Sequence, residues 1–237
     1  MEQRFDIAVI GGGVVGLAIL RRFAMSGLSC VLLEKGTDIL SGASKGNSAL
    51  LHTGFDAPPK SLELQCVQAG YLEYLDIRQK LNLPLLETAA LVVAWNEQEF
   101  AALDGIVEKA HANKVSDVKC LSQTEIRIRE PQISKSALGA ALVPGEHVID
   151  PWSAPLAYAH QAIAHGALII RNAEVTGVEQ VGGEWRVANK AGEVFARVVI
   201  NAEGFMAIML KLWPINHLSK SNHAKANLWC STNPPQN

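Results

Sequence analysis

The sequence predicts an α/β fold whose N-terminal part is a parallel sheet, on three observations. Two short apolar runs, Phe5–Ile10 and Ser29–Glu34, flank a helical pattern over Val14–Ser26. Gly11, Gly13 and Gly16 lie between the first run and the helix, or open the helix itself. An acid, Glu34, ends the second run. A strand–helix–strand unit completed within about 30 residues implies two parallel strands joined by a right-handed crossover.

The elements follow in order. Both strands are continuous apolar runs, as expected where helices cover both faces of a parallel sheet. From Gly36 to Lys60 the chain is rich in Gly, Ser, Ala and Pro and shows little periodicity. A loop of that length is usually functional or disordered. Ser61–Leu81 has helical spacing, with Leu62, Cys66, Ala69, Leu72 and Leu75 along its apolar side. Ala89–Trp95 predicts a strand, Glu97–Asn113 a helix and Leu138–Val143 another strand. Asp150-Pro151 predicts a helix start, with Asp capping free N–H groups and Pro in the first turn. That helix runs to His165 and stops at Gly166. Strands follow at Leu168–Ile170, Glu174–Val181, Glu184–Ala188 and Val194–Asn201, with Gly182-Gly183 as a hairpin turn.

Of the 237 residues, 49% are apolar and 19% charged, and the formal net charge is −2. This is globular composition without the basic stripe that nucleic-acid binding needs. Cys30, Cys66, Cys120 and Cys230 are scattered, with neither metal-ligand spacing nor a disulfide framework. A reducing cytoplasm is the default compartment. The first apolar run lacks the layout of a signal peptide. No stretch approaches the roughly 18 apolar residues of a membrane span, which leaves peripheral contact at the inner membrane face open.

The glycine turn carries the chemistry. Gly11 permits the tight turn, Gly13 lets a pyrophosphate approach the backbone, and Gly16 lets helix and strand pack closely. The helix N-terminus offers N–H groups and the positive end of its dipole. Glu34 is placed to accept hydrogen bonds from ribose hydroxyls and disfavours a 2′-phosphate, hence NADP. The residues themselves leave FAD and NAD both open.

Three stretches decide between them: DIAVIGGGVVGLAILRRFAMSGLSCVLLEK, SGASKGNSALLHTGFDAPPKSLELQCVQAG and RVVINAEG. Over Arg4 to Gly204 they resemble the FAD-dependent oxidoreductases of the D-amino-acid oxidase superfamily. The similarity is greatest to glycerol-3-phosphate dehydrogenases and L-2-hydroxyglutarate dehydrogenases. The resemblance implies a Rossmann-like FAD-binding domain, residues 1–60 and 148–204, with an inserted, incomplete α+β substrate domain over 61–147. It implies FAD contacts from Lys35 beside Glu34 and from Ser44, Asn47 and Ser48 in the loop. It adds Val175, whose backbone reads adenine, and Gly204 near the pyrophosphate or ribityl. His52 then lies near the flavin ring, as covalent attachment point or general base. The alternative is a loop histidine satisfied by backbone. The implied activity is oxidation of a small hydroxy acid or polyol phosphate, with quinone or oxygen as acceptor.

After Gly204 the pattern changes. Phe205–Asn237 holds three of the ten prolines, two of the five tryptophans and no acid. Relatives continue with a G-x-x-x-D helix. A back-translation read one base out of phase from codon 203 permits that helix and a P-R-K-G-Q-F strand. The expectation is a frameshift near Glu203, a non-native tail over 205–237 and an inactive, truncated enzyme that folds poorly. An NAD-binding dehydrogenase domain is the further alternative, which the SGASKGNSALLH loop argues against.

Overall fold

The computed structural model describes residues 3–204 and the two-residue strand Leu228–Trp229, which divide into two compact units. One comprises 1–47 and 151–237, the other 48–150. The expected boundary near residue 60 therefore moves to 47/48. The stretch after it pairs within the second unit, as strand β3 (Leu50–Leu51) shows below.

The first unit is built on β1 (Gln3–Ile10) and β2 (Cys30–Leu33), joined by α1 (Val14–Met25). Ile7–Ile10 and all of β2 are buried, and alternate residues feed different cores. Ile7, Val9, Cys30 and Leu32 meet Leu17, Leu20 and Ala24 of α1 on one face. Ala8, Ile10, Val31 and Leu33 meet Val187, Val194, Ala196 and Val199 on the other. Side chains alternate across a strand, so a run apolar at every position requires cover on both faces.

β9 (Leu168–Ile170) pairs parallel with β2, and β12 (Gly192–Asn201) pairs parallel with β1. β10 (Val175–Val181) and β11 (Glu184–Asn189) complete an antiparallel meander onto β12. The order is β10-β11-β12-β1-β2-β9, with β13 (Leu228–Trp229) pairing off this path onto Val199–Ile200. Gly182 and Gly183 have φ of 61° and 89°. Both central residues of the β10–β11 turn thus adopt the left-handed region that a tight hairpin demands. The rest of the expected tail lies outside the described residues.

α5 (Ser153–Ala164) corrects one expectation. Its N-cap is Trp152, without a side-chain cap, so Asp150 is not the capping residue. The proline of the first turn is Pro155, where the ring's missing N–H has no intrahelical partner to lose. The C-terminus ends as expected. Gly166 at φ 87° donates to Ile163 O, and Ala167 donates to Ala162 O, which closes a Schellman motif. Ala159 and Ala162 then pack beside α1.

The second unit holds α2 (Leu62–Ile77), α3 (Glu97–Ala112) and α4 (Gln123–Arg129) with two three-stranded sheets. In one, β7 (Gly139–Val143) is wholly buried between β5 (Ala90–Ala94) and β6 (Lys119–Ser122). In the other, β8 (His147–Ile149) lies between β3 and β4 (Leu85–Leu86). α2 turns the other way from the sequence expectation. Leu62, Cys66, Ala69 and Leu72 are exposed, while Tyr74 and Ile77 are buried and Leu64, Val67 and Tyr71 half-buried. Asn113, 1% exposed, caps α3 and donates from Nδ2 to the carbonyls of Gly54, Phe55 and Ala57. This pins the loop after β3 to the end of α3.

Two kinds of glycine are distinguishable by thermal unfolding. A Cβ on Gly16 would overlap the carbonyl oxygen of Gly11. Gly16→Ala is expected to destabilise the chain by about 2 kcal/mol or more. Gly70 sits within α2 with open space around its α-carbon. Gly70→Ala is expected to stabilise by roughly 0.5–1 kcal/mol.

Candidate cofactor site

The carboxyl ends of β9, β2, β1 and β12 reach one edge of the parallel sheet, where α/β folds bind ligands. There the first unit encloses a cavity of about 390 Å³. Its wall is the turn Ile10–Val15, the end of β2 with Glu34 and Lys35, and the loop Leu40–Ser44. Ala173, Val175 and Ala202–Gly204 close it.

The glycines make this shape. Gly11 lies at φ 103°, and a Cβ there would come within 2.9 Å of Ala202 O. Gly12 N–H donates to Glu34 Oε2 at 2.6 Å. Gly13 is the N-cap of α1, and its missing Cβ faces Ser44 Oγ at 3.1 Å. Ser44 Oγ also accepts from Val14 N–H at 3.1 Å. The first turn of α1 carries no acid, so the positive end of its dipole is left for an anion.

Of the expected contacts, Gly11, Gly13, Glu34, Lys35, Ser44, Val175 and Gly204 line the cavity. Gly16 lies beneath it, against Gly11. Asn47 is off the wall and donates from Nδ2 to Ser44 O at 3.2 Å, bracing the loop. Ser48 and His52 belong to the second unit. Glu34 is nearly buried and already holds two backbone donors, Gly12 N–H and Gly36 N–H. An ionised carboxylate offers about four acceptor positions, which leaves capacity for ribose hydroxyls.

Sequence reasoning missed Ala173 and Ala202 as wall residues. Ala173 was findable: a third parallel strand next to β2 must end at the same edge, and Ala173 N–H indeed donates to Glu34 O. Glu203 also lines the cavity. Burial raises its carboxyl above the usual value of 4.5, Lys35 opposes that rise, and Glu34 and Glu174 reinforce it.

His52 occupies a different setting. β3 pairs Leu51 with His147, which brings the next residue, His52, to Glu146. His52 Nδ1 lies 2.8 Å from Glu146 Oε2, with the imidazole 46% and the carboxylate 1% exposed. Thr53 donates to Glu146 Oε1 twice, from its N–H at 2.6 Å and its hydroxyl at 2.8 Å. Gly145 permits this approach, since a Cβ there would meet Thr53 Cγ2 at 2.8 Å. Tyr71 donates to Gly145 O, and burial followed by the Glu146 charge pushes its phenol upward. Glu146 was not anticipated from the sequence. The alternative reading of His52, a histidine satisfied by backbone, gives way to one held by a buried carboxylate. Among the described residues no cluster has metal-ligand geometry, and no helix is long and apolar enough to cross a membrane.

The sequence profile of the FAD-dependent oxidoreductase family (DAO) matches residues 6–225. This chain belongs to that family. The match decides against a nicotinamide-dinucleotide dehydrogenase domain and extends past Glu203 into the stretch where sequence pattern alone suggested a frame change. Glycerol 3-phosphate dehydrogenase of Caloramator mitchellensis is 30% identical over 203 residues, 86% of this chain and 42% of that protein. Human mitochondrial L-2-hydroxyglutarate dehydrogenase is 32% identical over 178 residues, 74% of this chain and 38% of that protein. The FAD-bound, dithionite-reduced L-α-glycerophosphate oxidase of Mycoplasma pneumoniae superposes with a TM-score of 0.81 at 27% identity, over 88% of this chain and 56% of that one. The chain thus spans about half the length of the relatives it matches. The family and the FAD-bound neighbour agree with the FAD assignment drawn from the sequence.

With Glu203 on the cavity wall, affinity for an anionic ligand there is expected to depend on pH. Its folded-state pKa is raised, so the folded chain holds more proton than the unfolded chain above pH 4.5. Stability from this group is therefore greatest below 4.5 and falls as pH rises through its titration. A pyrophosphate in the cavity would raise the carboxyl further. FAD affinity is expected to fall as pH rises through that window. Glu203→Ala is expected to flatten the slope and tighten binding roughly three- to tenfold near neutral pH. Flavin fluorescence titrations at several pH values check this.

Proposed function

We propose that this chain binds FAD in the cavity at the edge of its parallel sheet and serves a dehydrogenase or oxidase of small hydroxy acids or polyol phosphates. Glycerol 3-phosphate and L-2-hydroxyglutarate are the substrates to test first, with quinone or oxygen as acceptor. The observation that carries the reading is the glycine turn, where three side-chain-free positions bring a helix N-terminus to the same cavity wall as Lys35 and Glu34. Backbone N–H groups and the helix dipole hold the pyrophosphate, Ser44 closes over it, and Glu34 takes the adenosine ribose. Ala173 and Val175 give the adenine an apolar wall. When bound, the flavin supplies an acceptor for hydride from the substrate carbon. His52 takes the proton of the substrate hydroxyl.

A second reading has one observation in its favour. Glu203 sets a half-buried carboxylate on the cavity wall, where a pyrophosphate would meet like charge. On that reading the chain keeps the family fold but holds FAD weakly and turns over little.

Anaerobic mixing of the FAD-loaded chain with glycerol 3-phosphate or L-2-hydroxyglutarate separates the two. Bleaching of the flavin's visible band is expected with one of them, and His52→Ala is expected to slow it about a hundredfold. A chain that retains FAD yet bleaches with neither substrate contradicts the proposed chemistry. A chain that retains no FAD supports the second reading.

A further inference from the structure

A carboxylate that is 1% exposed must find partners for all its charge inside the protein. Glu146 finds them asymmetrically. Oε1 accepts both Thr53 N–H and Thr53 Oγ1–H, and Oε2 faces only His52 Nδ1 among the hydrogen bonds and ion pairs described here. With Glu146 as a carboxylate, Oε2 at 2.8 Å can only accept, so the proton sits on Nδ1. The neutral ring then carries its lone pair on Nε2, the nitrogen that points away from the carboxylate. The imidazole is 46% exposed, so a molecule outside the chain can reach it.

From this geometry we propose that Glu146 is the positioning residue of His52, fixing the Nδ1–H tautomer and so making Nε2 a proton acceptor for the substrate hydroxyl. The inference rests on the oxidoreductase reading above. The proton balance closes on this chain's own residue: the hydroxyl proton goes to Nε2 and the O–H electron pair forms the new C=O bond, while a bound flavin would supply the acceptor for the carbon's hydride. Glu146 itself gains no proton. It orients the ring and stabilises the imidazolium that results.

Thr53 makes the proposal sharply testable. In Glu146→Gln both Thr53 donors hold the amide oxygen on their side, which turns the amide NH2 toward His52. Nδ1 must then accept, and the ring proton moves to Nε2. Two-bond proton–nitrogen spectra of the 15N-labelled full chain, with His52 assigned through His52→Gln, report the tautomer directly. The neutral ring is expected as Nδ1–H in the wild type, inverted in Glu146→Gln and restored in Glu146→Asp. The same inversion is expected to lower kcat of the FAD-loaded chain about a hundredfold or more with KM little changed. Glu146→Asp is expected to recover much of that rate.

A wild-type ring protonated at Nε2 overturns the proposal, and so does an unchanged tautomer in a folded Glu146→Gln. Should Glu146→Gln fail to fold, the wild-type tautomer and Glu146→Asp still decide the matter. An inverted tautomer with unchanged kcat overturns the catalytic use of Nε2. If the wild type reduces no flavin with any substrate, the oxidoreductase reading fails on its own, while the spectra still decide whether Glu146 sets the tautomer.

Discussion

Helix α1 can begin where it does because the carbonyl of Gly11 lies directly against the α-carbon of Gly16, at a separation no side chain allows. That contact draws the helix N-terminus down onto the end of β1. It sets Gly13 at the cap position and leaves the first-turn N–H groups facing the cavity. Leu17 and Leu20, fully buried one and two turns on, then fix the helix over Ile7, Val9 and Leu32. Remove the contact and helix, strand edge and cavity separate together. The first unit is in this sense organised around one close backbone approach, with the parallel strands supplying a floor that can bear it.

Charge is the second constraint. A site that offers a helix dipole and Lys35 to an anion also carries Glu34 and Glu203. Glu34 is tethered: Gly12 and Gly36 N–H groups hold its carboxylate at the side of the turn. Among the described residues Glu203 has no such tether: its backbone N–H donates to Asn201 Oδ1, and burial works against ionisation of its carboxyl. One glutamate is therefore built into the turn. The other is a cost that any bound pyrophosphate must overcome.

Local signals made most of the first unit legible. β1, α1, β2, the late strands and the Gly182-Gly183 turn each follow from apolar runs punctuated by glycine. So did most of the cavity wall, because the glycine turn and the acid at the end of β2 are close in sequence. Two local signals went unread, β6 and α4, although Ser122 and Glu125 form a capping box that announces the helix. The face of α2 was not decidable locally. Leu62, Cys66, Ala69 and Leu72 make as good a stripe as Leu64, Val67, Tyr71 and Tyr74, and only tertiary packing chooses between them. Glu146 was out of reach for a different reason. It lies 93 positions from Thr53, and nothing near either residue forecasts a pairing that arises from β3 meeting β8.

The central claim is that the glycine turn receives the pyrophosphate of FAD, and equilibrium titration of the chain with FAD and with NAD tests it most directly. Gly13→Val serves as the control, because its missing Cβ lies 3.1 Å from Ser44 Oγ on the cavity wall. The account predicts saturable FAD binding, much weaker NAD binding and loss of both in a Gly13→Val chain that still folds. Equal or tighter binding of NAD, or FAD binding that survives Gly13→Val, would contradict it.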